Sequence, residues 1–395
     1  VFCFYAGFPG SPVLLFFAFK FSQELRMLQK ALVLVIGLAS IAGCVGCGST
    51  SNHYVYATLA AANEIGAYRE DPNSGVLTQL SGSPYSVGDG AHSLVLHPSG
   101  KFLYAANPAQ NENDISLFTI ASNGTLTEVF PRTSVAPDGS EPELLAMDPA
   151  GSFLYVANAG TFNISVFSID SGTGALTQVG PAFPIGLSLL NMRLTPSGNY
   201  LYITSSAGQF NGDGSIVGFS VTGGSLQPVS APIDSDGRNP NGLAIDPSGT
   251  YLYAANTQSN SISIFTIGSS GTLLEVPNSP LADTYTSPVS LILDPTGTYL
   301  YVANLGSANV AVYSISSTSG LPTALTTSTT TGAFTTESNP NFLVADPSGK
   351  YLFVGNQPPG APGIQSFQVS SGNLIPLFTY GVGNTATSIA VLQVN

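Results

Sequence analysis

A proline followed two residues later by a glycine recurs at Pro98, Pro149, Pro196, Pro247, Pro295 and Pro347, at intervals of 51, 47, 51, 48 and 52 residues. The copies read "HPSG", "DPAG", "TPSG", "DPSG", "DPTG" and "DPSG". Proline presets φ for the second position of a type I turn and glycine suits the fourth, so each copy predicts a tight hairpin. A period of this length means one structural unit repeated along the chain. Such a unit cannot bury its apolar faces alone and must stack on its neighbours.

Each unit carries four strand signals. A short apolar run precedes the turn ("SLVLH", "LLAMD", "GLAID") and a longer one follows it ("FLYAAN", "FLYVAN", "YLYITS", "YLYAAN", "YLYVAN", "YLFVGN"). A third run alternates around a fixed aromatic column, Tyr68, Phe118, Phe167, Phe219, Phe265, Tyr313 and Phe367, whose period of two marks a strand. A fourth follows a glycine turn, as in "SGVLTQL", "NGTLTEV" and "TGALTQV". Only 8% of residues are charged, whereas 43 are glycine and 28 proline, which suits short strands and turns rather than helices. The fold class is therefore all-β, a seven-bladed β-propeller of four-stranded antiparallel blades. The first copy begins at "YVYATL" without its first strand, and the chain finishes with "SIAVLQVN", a first strand with no copy behind it. Ring closure by pairing of this C-terminal strand in blade 1 is expected, which also removes an open sheet edge.

The "LYVAN" strands, "DPSG" turns and "TGALT" segments resemble the seven-bladed lactonase family, which includes 6-phosphogluconolactonases and is similar to surface proteins with YVTN repeats. The resemblance spans Tyr54 to Asn395. It implies a propeller whose hydrolytic members use His, Glu and Arg at the channel mouth. Two departures stand against simple transfer of activity. The inner strand "LNMRLTP" carries none of the paired histidines of the hydrolases, and the chain has few basic residues with which to hold a phosphorylated sugar lactone.

The segment from Met27, "MLQKALVLVIGLASIAGC", has Lys30 ahead of an apolar run from Ala31 to Ala42 that is too short to cross a bilayer of roughly 30 Å as a stable helix. This is signal-peptide organisation. Ile41-Ala42-Gly43-Cys44 resembles a bacterial lipobox, which makes Cys44 the lipidation site and membrane attachment a matter of the lipid anchor alone. The expected organisation is 1–26 as an upstream extension or misplaced start, 27–43 as signal peptide, 44–53 as tether and 54–395 as propeller, exported to the periplasmic or cell-surface side as a monomer. The three cysteines, Cys3, Cys44 and Cys47, leave the body without a disulfide. Beyond Cys44, six lysines and arginines stand against 21 aspartates and glutamates, a net of −15, which repels nucleic acid.

Chemistry is expected where the loops into the first strands and between the second and third strands open together around the channel. The residue six before each turn proline starts an inner strand there: His92, Glu143, Leu190, Asn241, Val289 and Asn341, with Thr387 in the closing strand. Three before the proline the column is apolar except at Arg193, whose charge must meet a carboxylate or line a wet channel. With Arg238 just upstream of Asn241, a polar ring of His92, Glu143, Arg193 and Arg238 is the catalytic candidate: Glu143 or His92 as base, Arg193 or Arg238 at the oxyanion. Asn191, Asn241, Asn341 and Asp213 are the candidate ligand-binding residues, for a small molecule, a glycan or a protein. From the second-strand end to the aromatic column the spacing is 9 residues in four blades, 11 in blades two and seven and 14 in blade four, where "SAGQFNGDGS" predicts the longest loop. No cofactor is expected. No metal is expected either, since His53, His92 and His97 are the only histidines and none has a His or Cys partner at ligand spacing within its blade.

Overall fold

The computed structural model describes residues 52–109, 112–210, 212–325, 332–336, 339–357, 363–381 and 386–394. The signal and lipobox readings, Cys44 among them, lie outside the described residues. What is described is almost wholly β, in seven antiparallel sheets that match the seven expected blades. Their innermost strands are Ala386–Val394 in blade 1, then Ser93–Leu96, Pro142–Met147, Asn191–Leu194, Pro240–Ile245, Pro288–Leu293 and Asn339–Ala345 in blades 2 to 7.

The closing strand pairs with the first strand of the repeat body, Asn52–Leu59, from Asn52↔Val394 through Tyr56↔Ala390 to Leu59↔Ala386. Side chains lock it on both sides. Thr58 Oγ1 and Thr387 Oγ1 lie 2.7 Å apart, Thr387 Oγ1 donates to the carbonyl of His92 at 3.1 Å, and Leu94 N donates to Ser388 Oγ at 3.1 Å. The last strand is therefore bonded to blade 1 and blade 2 at once.

The repeated motifs now have physical reasons. In each "DPSG"-type turn the glycine N–H donates to the carbonyl three residues back, as from Gly249 to Asp246 at 2.9 Å, and the glycine has positive φ, 72° in this case. Only glycine takes that conformation without strain. The second strands, such as Phe102–Asn107 and, after its first residue, Tyr251–Asn256, are buried along their length because both faces pack on neighbouring blades. They consequently read as apolar runs rather than as alternations. The core lies between blades: Tyr253, Ala255 and Ile264 of blade 5 share one cluster with Leu291, Leu300 and Val302 of blade 6.

The glycine of the "TGALT" turn lies flat on an aromatic ring of the preceding blade. A Cβ on Gly271 would come within 2.3 Å of Tyr200, and one on Gly124 within 2.4 Å of Tyr54. The turn carbonyl also accepts a hydrogen bond from a buried tyrosine of that preceding blade: Tyr56 to Gly124 at 2.8 Å, Tyr104 to Gly174 at 2.7 Å, Tyr202 to Gly271 at 2.6 Å and Tyr253 to Gly320 at 2.9 Å. The tyrosine column is thus an inter-blade latch. Tyr155 and Tyr301 have buried hydroxyls with no hydrogen-bond partner among the described residues. They face the blades whose third and fourth strands join through two-residue turns, closed by Thr222↔Ser225 and Ser370↔Asn373.

One expected loop is a strand pair instead. Tyr200–Phe210 and Asp213–Thr222 pair continuously as far as Ser205↔Ser215 and again at Phe210↔Asp213, with a register irregularity between the two.

Candidate functional site

The inner strands surround a cavity of about 370 Å³ at one end of the channel. His92, Leu190, Asn241, Val289, Asn341 and Thr387, six of the seven residues expected to start the inner strands at the mouth, line it. A periodic sequence column has become a ring because each blade contributes the same position.

The ring is tied by side chains that reach to the next blade. Asn191 Nδ2 donates to the carbonyl of Asn241 at 2.8 Å, Asn341 Nδ2 to that of Ala386 at 3.1 Å, and His92 Nδ1 points at that of Glu143 at 3.4 Å. Serines one position further in accept backbone N–H groups, Ser93 from Leu145 at 3.2 Å and Ser290 from Leu343 at 3.3 Å. Asn341 Oδ1 is buried without a hydrogen-bond partner among the described residues. Asn191 and Asn341 are therefore partly committed to the frame, and what they offer a ligand is their remaining polar capacity.

Arg193 lies deeper. It lines the mouth cavity and also a second cavity of about 540 Å³ toward the opposite end, together with Leu94, Leu145, Met192 and Leu291. These four apolar side chains and one guanidinium form the waist between the two spaces. Among the described residues no ion pair or hydrogen bond engages its guanidinium, and burial lowers its pKa with no carboxylate to offset the effect. Of the two outcomes expected for this charge, it lines the channel and is not part of a buried ion pair. Arginine stays protonated under such a shift, so the waist holds an uncompensated positive charge.

His92 and Glu143 come together on adjacent blades, with Nε2 and Oε1 4.0 Å apart and both side chains about two-fifths exposed, at 40% and 38%. A proton on Nδ1, directed at the Glu143 carbonyl, leaves Nε2 as the basic nitrogen beside the carboxylate. Glu143 itself is not among the residues lining the cavity. It can support charge on His92 from the rim.

Arg238 stands apart from the expected ring. It does not line the cavity, and its Nε lies 3.8 Å from Asp213 Oδ1, with the arginine side chain 60% exposed. Asp213 does not line the cavity either, so the pair stands apart from the residues that do. Sequence reasoning also missed Ser93, Ser290, Leu305 and Gln357 as lining residues. The serines recur one position after the predicted column, a signal present in the sequence, whereas Leu305 just follows the second strand of blade 6, Tyr299–Asn304, and Gln357 ends that of blade 7, Tyr351–Gln357.

A closed ring of seven blades around a channel whose mouth is lined by polar side chains defines a seven-bladed β-propeller. Residues 49–189, 188–289 and 281–391 match the family described as Lactonase, 7-bladed beta-propeller, and the chain belongs to that family. Among solved structures it is similar to a protein of Bacteroides fragilis assigned as a 6-phosphogluconolactonase (21% identity, 88% of this chain and 100% of that one, TM-score 0.69). A counterpart from Bacteroides uniformis with the same assignment is 19% identical over 87% and 99% of the two chains, with a TM-score of 0.72. The periplasmic gluconolactonase of Pseudomonas aeruginosa is 16% identical over 87% and 99%, with a TM-score of 0.67. At these identities the likeness is one of fold.

Proposed function

We propose that this protein binds a small, oxygen-rich ligand bearing a carbonyl or carboxylate, of the sugar-lactone or sugar-acid class, in the mouth of its channel. The observation that carries this reading is Arg193, an uncompensated guanidinium on the wall of a cavity of about 370 Å³. A buried cation without a partner costs stability, and a negative or strongly polarised oxygen is the group that offsets it. Asn241, Asn341, Ser93 and Ser290 supply further polar atoms around hydroxyls. The test is calorimetric titration with gluconate and glucono-lactone. Arg193→Met should abolish binding while the fold persists, and equal affinity in both proteins would end the proposal.

A second reading, lactone hydrolysis, is favoured by the His92–Glu143 pair. In it His92 Nε2 takes a proton from water, Glu143 stabilises the imidazolium, and Arg193 holds the oxyanion that develops on the carbonyl oxygen. Apo hydrogen bonds at catalytic pairs are often long and tighten with substrate. Lactone opening followed by acid release separates the readings: a wild-type rate no faster than buffer leaves binding alone. Loss of one oxyanion donor in Arg193→Met should cost roughly a hundredfold in turnover.

We also propose export with lipidation at Cys44, supported by the lipobox-like Ile41-Ala42-Gly43-Cys44 and by the periplasmic setting of one protein of similar fold. Radioactive fatty-acid labelling of the wild type, lost in Cys44→Ala, is the expected result.

A further inference from the structure

The seam where the ring closes holds three buried ligand-type side chains. His53 and Glu70 face each other across the first two strands of blade 1, and Asp346 reaches them from the "DPSG" turn of blade 7. All three are buried, at 3%, 1% and 0% exposure, and one donor atom from each lies within 4.8 Å of the others.

Glu70 is out of place by the logic of the repeat. Two residues beyond the aromatic column the other six blades carry Ile120, Ile169, Val221, Ile267, Ile315 and Val369. Only blade 1 has a carboxylate there, and neither of its oxygens has a hydrogen-bond partner among the described residues. His53 Nδ1 lies 3.5 Å from its Oε2. That separation matches the edge of a tetrahedron of N and O ligands around zinc, ~3.4 Å for bonds of about 2.1 Å. Asp346 is held by its own turn: Oδ1 accepts from Tyr351 N at 2.7 Å, and Oδ2 accepts from Ser348 N at 3.1 Å and from Ser348 Oγ. These bonds orient a carboxylate and leave it lone pairs to give, the usual outer support of a metal ligand.

We propose that His53, Glu70 and Asp346 bind one divalent transition-metal cation, with Zn²⁺ the best match, as a clasp between the first and last blades. One imidazole and two carboxylates neutralise a doubly charged ion, and that mixed N/O set suits zinc better than calcium or magnesium, which prefer oxygen alone. Spacing within a blade does not reveal this cluster, since His53 and Asp346 meet only when the ring closes. The clasp is independent of the channel-mouth reading.

The experiment uses the full chain, purified, stripped with chelator and titrated with ZnCl₂, with metal content and thermal unfolding measured together. The expected result for wild type is one zinc per chain released by the chelator and a melting temperature raised by about 4 °C at free zinc about a hundredfold above Kd. Glu70→Ile gives blade 1 the residue type of its sister blades. It should fold, melt at or above the zinc-free wild type, and lose both the seam zinc and the zinc-dependent shift. His53→Gln should likewise lose the shift. A wild type whose melting temperature is unmoved by zinc, or a Glu70→Ile variant that retains the full shift, overturns the proposal. Equal or larger shifts with Ca²⁺ or Mg²⁺ would overturn the transition-metal assignment.

Discussion

Replacing Tyr202 by phenylalanine removes one oxygen from the seam between blades 4 and 5 and leaves the packing of the ring in place. The lost bond is the 2.6 Å contact from the hydroxyl to the carbonyl of Gly271, at a residue with no exposed surface. A buried neutral hydrogen bond is worth a net of about 1 kcal/mol, and stranding its carbonyl adds to the loss, so Tyr202→Phe should destabilise by about 1.5 kcal/mol. Tyr155 is the internal control. It has the same position in its blade and the same complete burial, yet its hydroxyl has no partner among the described residues, where the facing turn is the two-residue one closed by Thr222↔Ser225. Tyr155→Phe should therefore be neutral or stabilising by about 0.5 kcal/mol, since it deletes an unsatisfied polar atom. At about 1.4 °C per kcal/mol for a body of about 340 residues, the two variants should differ by about 3 °C in melting temperature. Differential scanning calorimetry on both resolves this. Equal shifts would refute the argument that turn length decides which tyrosines latch their neighbours.

Three further outcomes follow from the same structure. Removing Ala386–Val394 deletes a strand bonded to two blades, together with the buried Ala386, Ile389 and Leu392, and should abolish recovery of soluble protein; normal yield and melting would mean that the closure is dispensable. Burial first, and then hydrogen bonding to Glu275, raise the carboxyl of Asp236 to about 6. The folded state therefore holds a proton that the unfolded chain releases near pH 4, and the contribution is full below that and lost as pH rises through 6. Partial exposure discounts it to about 1 kcal/mol, and denaturant midpoints between pH 4 and 7 should fall less in Asp236→Asn. Arg193→Met should raise stability by about 1–2 kcal/mol, since it removes an unpaired charge from the channel waist, and a fall in melting temperature would reveal an ion-pair partner.

Proline and glycine at fixed offsets, the apolar second strands and the aromatic third-strand column each act over a few residues, through turn geometry and strand alternation. The turn recurs six times and the aromatic column seven, which determined the blade, the count and the closing strand. The mouth column was legible for the same reason: His92, Asn241 and Asn341 occupy one position of a repeating unit. What tertiary structure alone decided is which side chains from different blades meet. It left Arg193 without a counter-charge among the described residues, paired Arg238 with Asp213, and set Glu143 beside His92. It also brought His53 and Glu70 to Asp346 across the seam. Such contacts depend on the closure of the ring, which places residues nearly three hundred positions apart within one coordination distance, and no local pattern along the chain encodes that distance.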